Sequence, residues 1–156
     1  MVKNTDLSPI WDDFIQELGK KQPKLTQKDV DSLVSKAKAE DDAAKQALWE
    51  LTLLYILKNL RSKHKLFSAY YYDKAMKLDL EPLMTLEDAL AESWNAMIKA
   101  LDTWEPDRGH RNFQTFYLKR LELDLYVICR REAQNRRKQR ANFMTLDELA
   151  TLEEQG

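Results

Sequence analysis

The sequence predicts an all-α protein, and three observations lead to this fold class. Only three of the 156 residues are glycine and four are proline, which disfavours strands joined by tight turns. Residues of high helix propensity (alanine, leucine, glutamate, lysine and arginine) make up nearly half of the chain. Apolar residues recur at steps of three and four almost throughout. The length suits one domain with a single hydrophobic core.

The first forty residues predict two helices. Residues 9–19 form the first, with Pro9 near its start and Gly19 as a stop signal. Thr26 caps the second, which runs to about Lys38. The apolar sides of the two helices are formed by Ile10, Phe14 and Leu18 and by Val30, Leu33, Val34 and Ala37.

A long third helix is predicted to begin at Asp41 and Asp42, because acidic side chains suit the positive end of a helix. Its apolar residues are Ala44, Leu48, Leu51, Leu54, Tyr55 and Leu60, and a basic cluster follows at Arg61, Lys63 and Lys65. Residues 66–84 have no clear pattern. The run Tyr70–Tyr72 either continues a helix or forms an aromatic connection, and Pro82 predicts a break.

The next helix is predicted to begin at Thr85, which with Asp88 resembles a capping box. Its apolar stripe comprises Leu86, Leu90, Trp94, Met97, Leu101 and Trp104. Its other side comprises Asp88, Glu92, Asn95, Lys99 and Asp102. We therefore expect one buried face and one exposed acidic face.

A turn is expected at Glu105–Gly109 because the segment contains proline and glycine. A long helix follows from about Asn112 to Arg131 or beyond and continues into the basic segment Arg130–Arg140. Its core stripe is formed by Phe113, Tyr117, Leu121, Leu125 and Ile128. A separate short acidic helix with its own capping box is predicted over Thr145–Glu154.

The net charge of −1 hides an uneven distribution of charge. From Glu81 to Asp107 there are seven acidic residues and one basic residue, whereas from Arg108 to Arg140 there are ten basic and three acidic residues. Residues 141–156 contain four acidic residues and no basic one. Each block alone is compatible with an ordinary solvated face. The abrupt reversal of sign at one turn is harder to explain in that way.

The chain lacks the residue patterns that enzymes and metal proteins need. His64 and His110 lie far apart, and neither has metal-ligand spacing with Cys129. Three glycines cannot form a glycine-rich phosphate loop. No apolar run approaches a membrane span, no signal sequence opens the chain, and a lone cysteine fits a reducing compartment. We therefore expect a cytoplasmic protein that is not an enzyme, has no cofactor and does not enter a membrane.

Aromatic residues are interleaved with the basic block, namely Trp104, Phe113, Phe116, Tyr117 and Tyr126. Arginine and lysine attract phosphates, and aromatic rings stack on unpaired bases. This combination is typical of proteins that hold a melted strand. The alternative is that the rings are core residues and the arginines only solubilise the protein, and composition alone does not decide between the two.

Three segments in the second half of the chain share their residue order and spacing with a known family: LEDALAE (86–92), KALDTWEPDRG (99–109) and FQTF (113–116). They resemble the start, the helix end and the next helix start of region two of primary-type sigma factors, with one extra residue between Gly109 and Phe113. Upstream, SPI (8–10), QELG (16–19), LT (25–26) and residues 41–48 resemble the segment before region two. The resemblance covers roughly residues 7–140, with 66–84 as an insertion or divergent linker.

The resemblance implies a compact multi-helix region-two-like bundle with a basic C-terminal helix extension. It divides the chain into residues 1–40, which resemble the preceding segment, a core-binding and promoter-melting domain at 41–140, and an acidic tail at 141–156. In the family, the acidic helix docks on the coiled coil of the largest subunit of RNA polymerase. The matching positions here are Asp88, Glu92, Asn95 and Ile98.

The family also flips one adenine of the minus-ten element into a pocket of aromatic and polar groups. The matching positions are Trp104, Glu105, Arg108, Thr115 and Phe116. Further DNA contacts are implied at Lys119 and Arg120, where the family has a Trp-Trp wedge, and at Leu123 and Tyr126, where it reads the upstream base pair. These departures imply a non-standard promoter sequence. Phosphate contacts are expected from Arg130, Arg131, Arg136, Arg137, Lys138 and Arg140.

The expected partners are the RNA polymerase core and promoter DNA, including the melted non-template strand. The chain has no helix-turn-helix segment for a minus-35 element, so a second protein that supplies upstream recognition is a further expected partner. Two alternatives remain open at this point. One is a sigma-like regulator or adaptor that binds polymerase or DNA without initiating transcription, and the other is an unrelated helical DNA-binding or interaction protein.

Overall fold

The computed structural model describes the backbone of residues 8–22, 24–108 and 112–155, and the side chains of residues 10–22, 24–108 and 112–142. Its α-helices are α1 (Ser8–Lys21), α2 (Gln27–Lys38), α3 (Asp42–Ser62), α4 (Ala69–Tyr72), α5 (Leu86–Thr103) and α6 (Phe113–Gln155). Short 3-10 turns occur at His64–Phe67, Lys74–Met76 and Pro106–Arg108. The described ranges contain no strand, which confirms the all-α prediction.

Side-chain caps begin three of the helices where the sequence predicts them. Thr26 accepts a hydrogen bond from the N–H three residues later at 3.2 Å, and Asp41 does the same at 3.1 Å. Thr85 and Asp88 form the reciprocal capping box at the start of α5. Each cap satisfies a backbone donor that the helix leaves unpaired and contributes about 1 kcal/mol.

Two predicted helix ends are wrong. Gly19 does not stop α1, which continues to Lys21 and packs beside α3. The acidic segment 145–154 is not a separate helix either, because α6 is a single helix of 43 residues. No glycine or proline lies between Asn112 and Gln155, so nothing in the sequence interrupts the hydrogen-bond ladder at Thr145.

One hydrophobic core connects the N-terminal helices with α5 and α6. Its largest fully buried side chains include Trp11, Leu48, Ile56, Leu57, Phe113, Tyr117 and Leu121. The turn between α2 and α3 is tight enough to place Glu40 at a φ of 65°, which is unfavourable for a residue other than glycine. The ion pair between Glu40 and Lys45, at 2.8 Å, lies across the same turn.

The buried face of α5 differs from the predicted apolar stripe. Its buried residues are Ala89, Ser93, Ala96, Met97, Ala100 and Leu101, whereas Leu86, Leu90 and Trp94 are only half-buried. Small side chains at the contact allow α6 to approach closely, and Tyr117 donates a hydrogen bond to the Ser93 carbonyl at 2.7 Å. On α6 the buried stripe passes from Leu125 to Cys129 and Ala133, which leaves Ile128 half-buried.

The segment between α3 and α5 is folded against the bundle. The Phe67 ring lies 5.5 Å from the Trp11 ring, and the Phe67 carbonyl accepts a hydrogen bond from the Leu83 N–H at 2.8 Å. The run Tyr70–Tyr72 belongs to the single-turn helix α4. None of the helices in the described ranges combines the length and the apolarity needed to cross a membrane.

Candidate nucleic-acid interface

The acidic side of α5 contains the residues predicted to bind polymerase. Asp88 is exposed and Glu92 half-buried, and both line a groove of about 360 Å³ that α5 forms with α6, where Arg131 also lies. Asn95 is exposed on the same helix. Ile98 instead lines a separate cavity of about 190 Å³ beside α2. The structure therefore brings two of the four predicted residues into one groove.

Asp88 has a structural role besides its exposed charge. Its Oδ2 accepts a hydrogen bond from the Thr85 N–H at 3.3 Å, and its own N–H donates to Thr85 Oγ1 at 3.1 Å. Glu92 has no such bond among the described residues, so its carboxylate is available to a partner.

The end of α5 is fixed by a lysine from α2. Lys38 Nζ donates hydrogen bonds to the carbonyls of Leu101 and Trp104, both at 2.6 Å. A cation at this position stabilises the negative end of the helix. The Trp104 ring is 8% exposed and packs edge-on against Phe113 at 5.7 Å. The structure therefore places this ring in core packing against Phe113, and its predicted contact with a flipped base stays a prediction.

The other predicted pocket residues lie around the turn before α6. Glu105 and Arg108 are exposed and form an ion pair at 2.8 Å. Thr115 and Phe116 are half-buried on the first turns of α6, and Phe116 packs against the core. Gly109, His110 and Arg111 lie outside the described residues.

Three predicted DNA-binding residues share one groove. Lys119, Leu123 and Tyr126 line one side of a cavity of about 580 Å³, which we name the α3–α6 groove. Leu123 is 64% exposed and Tyr126 39% exposed. Arg120 does not line this groove; its Nε lies 3.6 Å from Asp124 Oδ1.

The opposite wall of the α3–α6 groove was not predicted from the sequence. It is formed by Ser62, Lys63, Lys65, Leu66 and Tyr71, from the end of α3 to α4. Lys63 joins the two walls through an ion pair with Glu122, at 2.6 Å. The signals that could have found this wall are the basic cluster after α3 and the tyrosine run, which the sequence places next to each other.

The tyrosines beside the groove form a connected group. Tyr72 lies 5.0 Å from the Tyr71 ring and 5.6 Å from the Tyr126 ring. Burial raises the pKa of Tyr72 well above its usual value, so its phenol stays protonated and donates to the Leu66 carbonyl at 2.8 Å. This bond fixes the ring that supports both groove tyrosines.

No protein-family model, curated protein or solved structure matches the chain. Its function is therefore inferred from its own residues. Within the described ranges there is no group of three or more histidine, cysteine, aspartate or glutamate side chains that could hold a metal ion.

The basic segment of α6 is divided between exposed charges and structural contacts. Four of its basic side chains are exposed, namely Arg130, Arg131, Lys138 and Arg140. Arg137 is 71% exposed and pairs with Asp73 at 3.3 Å.

Arg136 differs from its neighbours because its side chain is engaged in contacts within the fold. Its side chain is only 19% exposed. Its guanidinium donates to the carbonyls of Glu81 and Pro82, both at 2.9 Å, and pairs with Glu132 at 3.0 Å and Asp79 at 3.3 Å. These acceptors occupy its donors, so Arg136 holds the segment before α5 against α6.

Proposed function

We propose that this chain is a sigma factor, which binds the RNA polymerase core and recognises and melts a minus-ten-like promoter element. The observation that carries the proposal is the pair α5 and α6. Exposed carboxylates lie along α5, and a groove with lysine, leucine and tyrosine side chains lies along α6. The acidic face of α5 suits contact with a cationic protein surface, and the groove along α6 suits contact with nucleic acid.

The proposed docking site for the polymerase coiled coil is the acidic face of α5. Glu92 is its central residue, because it lies in the groove with α6 and has no structural hydrogen bond among the described residues. Asp88 adds charge, but it also caps the helix. Sequence resemblance to region two of sigma factors supports the same assignment.

Charge reversal tests the docking site. Glu92→Lys should lower affinity for bacterial polymerase core at least about tenfold, because a desolvated charge pair lost at an interface costs roughly 2–5 kcal/mol. Glu87→Lys is the matched control, since Glu87 is exposed on the same helix but does not line the groove. Asp88→Asn keeps a cap acceptor and removes only the charge. Equal core binding by Glu92→Lys and the wild type would refute the docking site.

Promoter melting is tested by run-off transcription with the core enzyme. Phe116→Ala should bind core normally but lose open-complex formation on duplex promoter. It should regain part of its activity on a pre-melted template, because the promoter bases there are already unpaired. We propose that the partners include the melted non-template strand and a second protein that recognises upstream DNA, and that the protein acts in the cytoplasm. Normal melting of duplex promoter by Phe116→Ala would refute the role of this ring.

One observation favours a second candidate, a sigma-like regulator that binds polymerase without initiating transcription. Trp104, at a position that the resemblance assigns to base capture, is buried against Phe113. At the two positions where the sigma family has its strand-separating Trp-Trp wedge, this chain has Lys119 and Arg120. Core binding without any transcript would support the regulator, and absence of core binding would refute both candidates.

A further inference from the structure

The α3–α6 groove has a wall to which the sigma resemblance assigns no role. This wall is formed by five residues between positions 62 and 71, and two of them, Leu66 and Tyr71, belong to the segment that resembles no part of the family. Tyr71 is 52% exposed although it lies in a helix that packs on the bundle. Its position beside Leu66 and opposite Leu123 gives the groove an apolar, aromatic interior.

The charges at the rim favour a negatively charged ligand. Lys63 is neutralised by Glu122. Lys65 and Lys119, one on each wall, have no carboxylate within ion-pairing distance among the described residues. Two unpaired cations therefore flank the aromatic interior from opposite sides.

The groove tyrosines are positioned before any ligand binds. Tyr71 and Tyr126 belong to elements far apart in sequence, yet both contact the Tyr72 ring. Tyr72 in turn is held by its hydrogen bond to Leu66. Rings that are fixed and partly exposed lose little conformational freedom on stacking, which favours binding of planar groups.

We propose that the α3–α6 groove binds unpaired nucleotides, with a base stacked on Tyr71 and flanking phosphates at Lys65 and Lys119. The proposal deepens the sigma-factor function and rests on it for the source of the ligand, a melted promoter strand. Unpaired nucleotides fit better than duplex, because base faces in a duplex are covered by their stacked neighbours. They also fit better than an acidic peptide, which would use the lysines but not the rings.

The test measures binding of a fluorescent oligothymidylate to the full chain at several salt concentrations by anisotropy. Tyr71→Ala should lower affinity about 5-fold to 100-fold at an unchanged salt slope, since one stacked base is lost. Tyr71→Phe should bind like the wild type because the ring remains. Tyr70→Ala is the matched control, because Tyr70 is 50% exposed in the same helix and does not line the groove.

The lysines are tested separately from the rings. The double variant Lys65→Ala and Lys119→Ala should reduce the salt slope by about 1.4, which corresponds to two phosphates of a single strand. If Tyr71→Ala lowers the thermal midpoint, Tyr71→Leu fills a similar space without a stackable ring and replaces it in the comparison.

The inference would be overturned if the wild type did not bind the oligonucleotide at low salt, or if Tyr71→Ala and Tyr70→Ala bound it with equal affinity. It would also be overturned if duplex DNA or polyglutamate bound as tightly as the single strand. Core binding is measured independently with Glu92→Lys and its control. If the protein melts promoter DNA with core and Tyr71→Ala has no effect, the proposed nucleotide site in the groove is refuted and the sigma-factor function is not. If the protein binds the oligonucleotide through Tyr71 but does not bind core, the sigma-factor function is refuted and the nucleotide site is not.

Discussion

Replacing Arg136 by alanine is expected to destabilise the fold and to leave the salt dependence of DNA binding unchanged. The Arg136 side chain bonds to Asp79, Glu81 and Pro82, all more than fifty positions earlier in the chain. It is therefore a long-range tie that holds the segment before α5. Because all three guanidinium nitrogens already bond within the fold, a phosphate contact by Arg136 would compete with these bonds.

The expected loss of stability follows from these bonds. A hydrogen bond from a charged donor contributes roughly 1.5–3 kcal/mol net, and Arg136 makes two to carbonyls at 2.9 Å. Glu81 is exposed, so water partly replaces the lost donor. We expect Arg136→Ala to lower the free energy of unfolding by about 2–4 kcal/mol. Arg137→Ala removes one ion pair from a side chain that is 71% exposed and should cost less than about 1 kcal/mol.

Urea unfolding followed by circular dichroism measures both variants. Arg136→Lys keeps the charge but lacks the planar group that reaches several acceptors, so it should recover less than half of the loss. Equal unfolding free energies for Arg136→Ala and Arg137→Ala would refute the tie. Unchanged stability with a salt slope for duplex DNA reduced by about 0.9 would instead show that Arg136 contacts phosphate.

Burial raises the pKa of Cys129 to about 12. A thiol-specific reagent should therefore label Cys129 in the native protein at mildly alkaline pH far more slowly than in the urea-unfolded protein. Equal labelling rates would contradict the burial of Cys129. Lys38→Met removes the charged donor of two hydrogen bonds at the end of α5 and should cost about 1.5–3 kcal/mol in thermal unfolding. Lys36→Met, on the same helix, should cost almost nothing because Lys36 is exposed. Trp104→Ala should cost about 3–5 kcal/mol because its ring packs on Phe113; a loss below about 1 kcal/mol would show that the ring is not part of the core.

Helix starts could be predicted from the sequence because a cap depends on residues only a few positions apart. Thr26, Asp41 and Thr85 each bond to an N–H three residues later, and no distant part of the chain is needed. The ends of α1 and α6 could not be predicted in the same way. Gly19 is a stop signal in isolation, but packing beside α3 favours continuation of the helix.

The buried face of α5 shows why periodicity alone is insufficient. Hydrophobicity ranks Trp94 above Ser93, yet Ser93 is fully buried and Trp94 is not. Close approach of helices selects small side chains, and Ser93 becomes tolerable in the core because its hydroxyl accepts from Trp49 Nε1 at 2.9 Å and donates to the Leu90 carbonyl at 2.6 Å. The Leu90 partner is local to α5, but Trp49 lies 44 positions away in the sequence and cannot be inferred from the spacing of residues along α5.

The candidate site was only partly predictable for a related reason. Lys119, Leu123 and Tyr126 lie on one helix, so their proximity follows from helical spacing. Tyr71 lies on a single-turn helix with no periodicity to reveal its orientation, and the contact between Lys63 and Glu122 joins residues 59 positions apart. Tertiary structure alone brings these two walls together.

The tie made by Arg136 also has a consequence for the order of folding on the ribosome. The contacts of α2 with α3 join neighbouring parts of the chain and can form as soon as both helices have been synthesised. Residues 79–82 lack their arginine until more than fifty further residues have been added. At about 5–20 residues per second this delay lasts roughly 3–11 s. During that time the segment before α5 lacks the arginine contacts that hold it against α6, so this part of the fold is completed last.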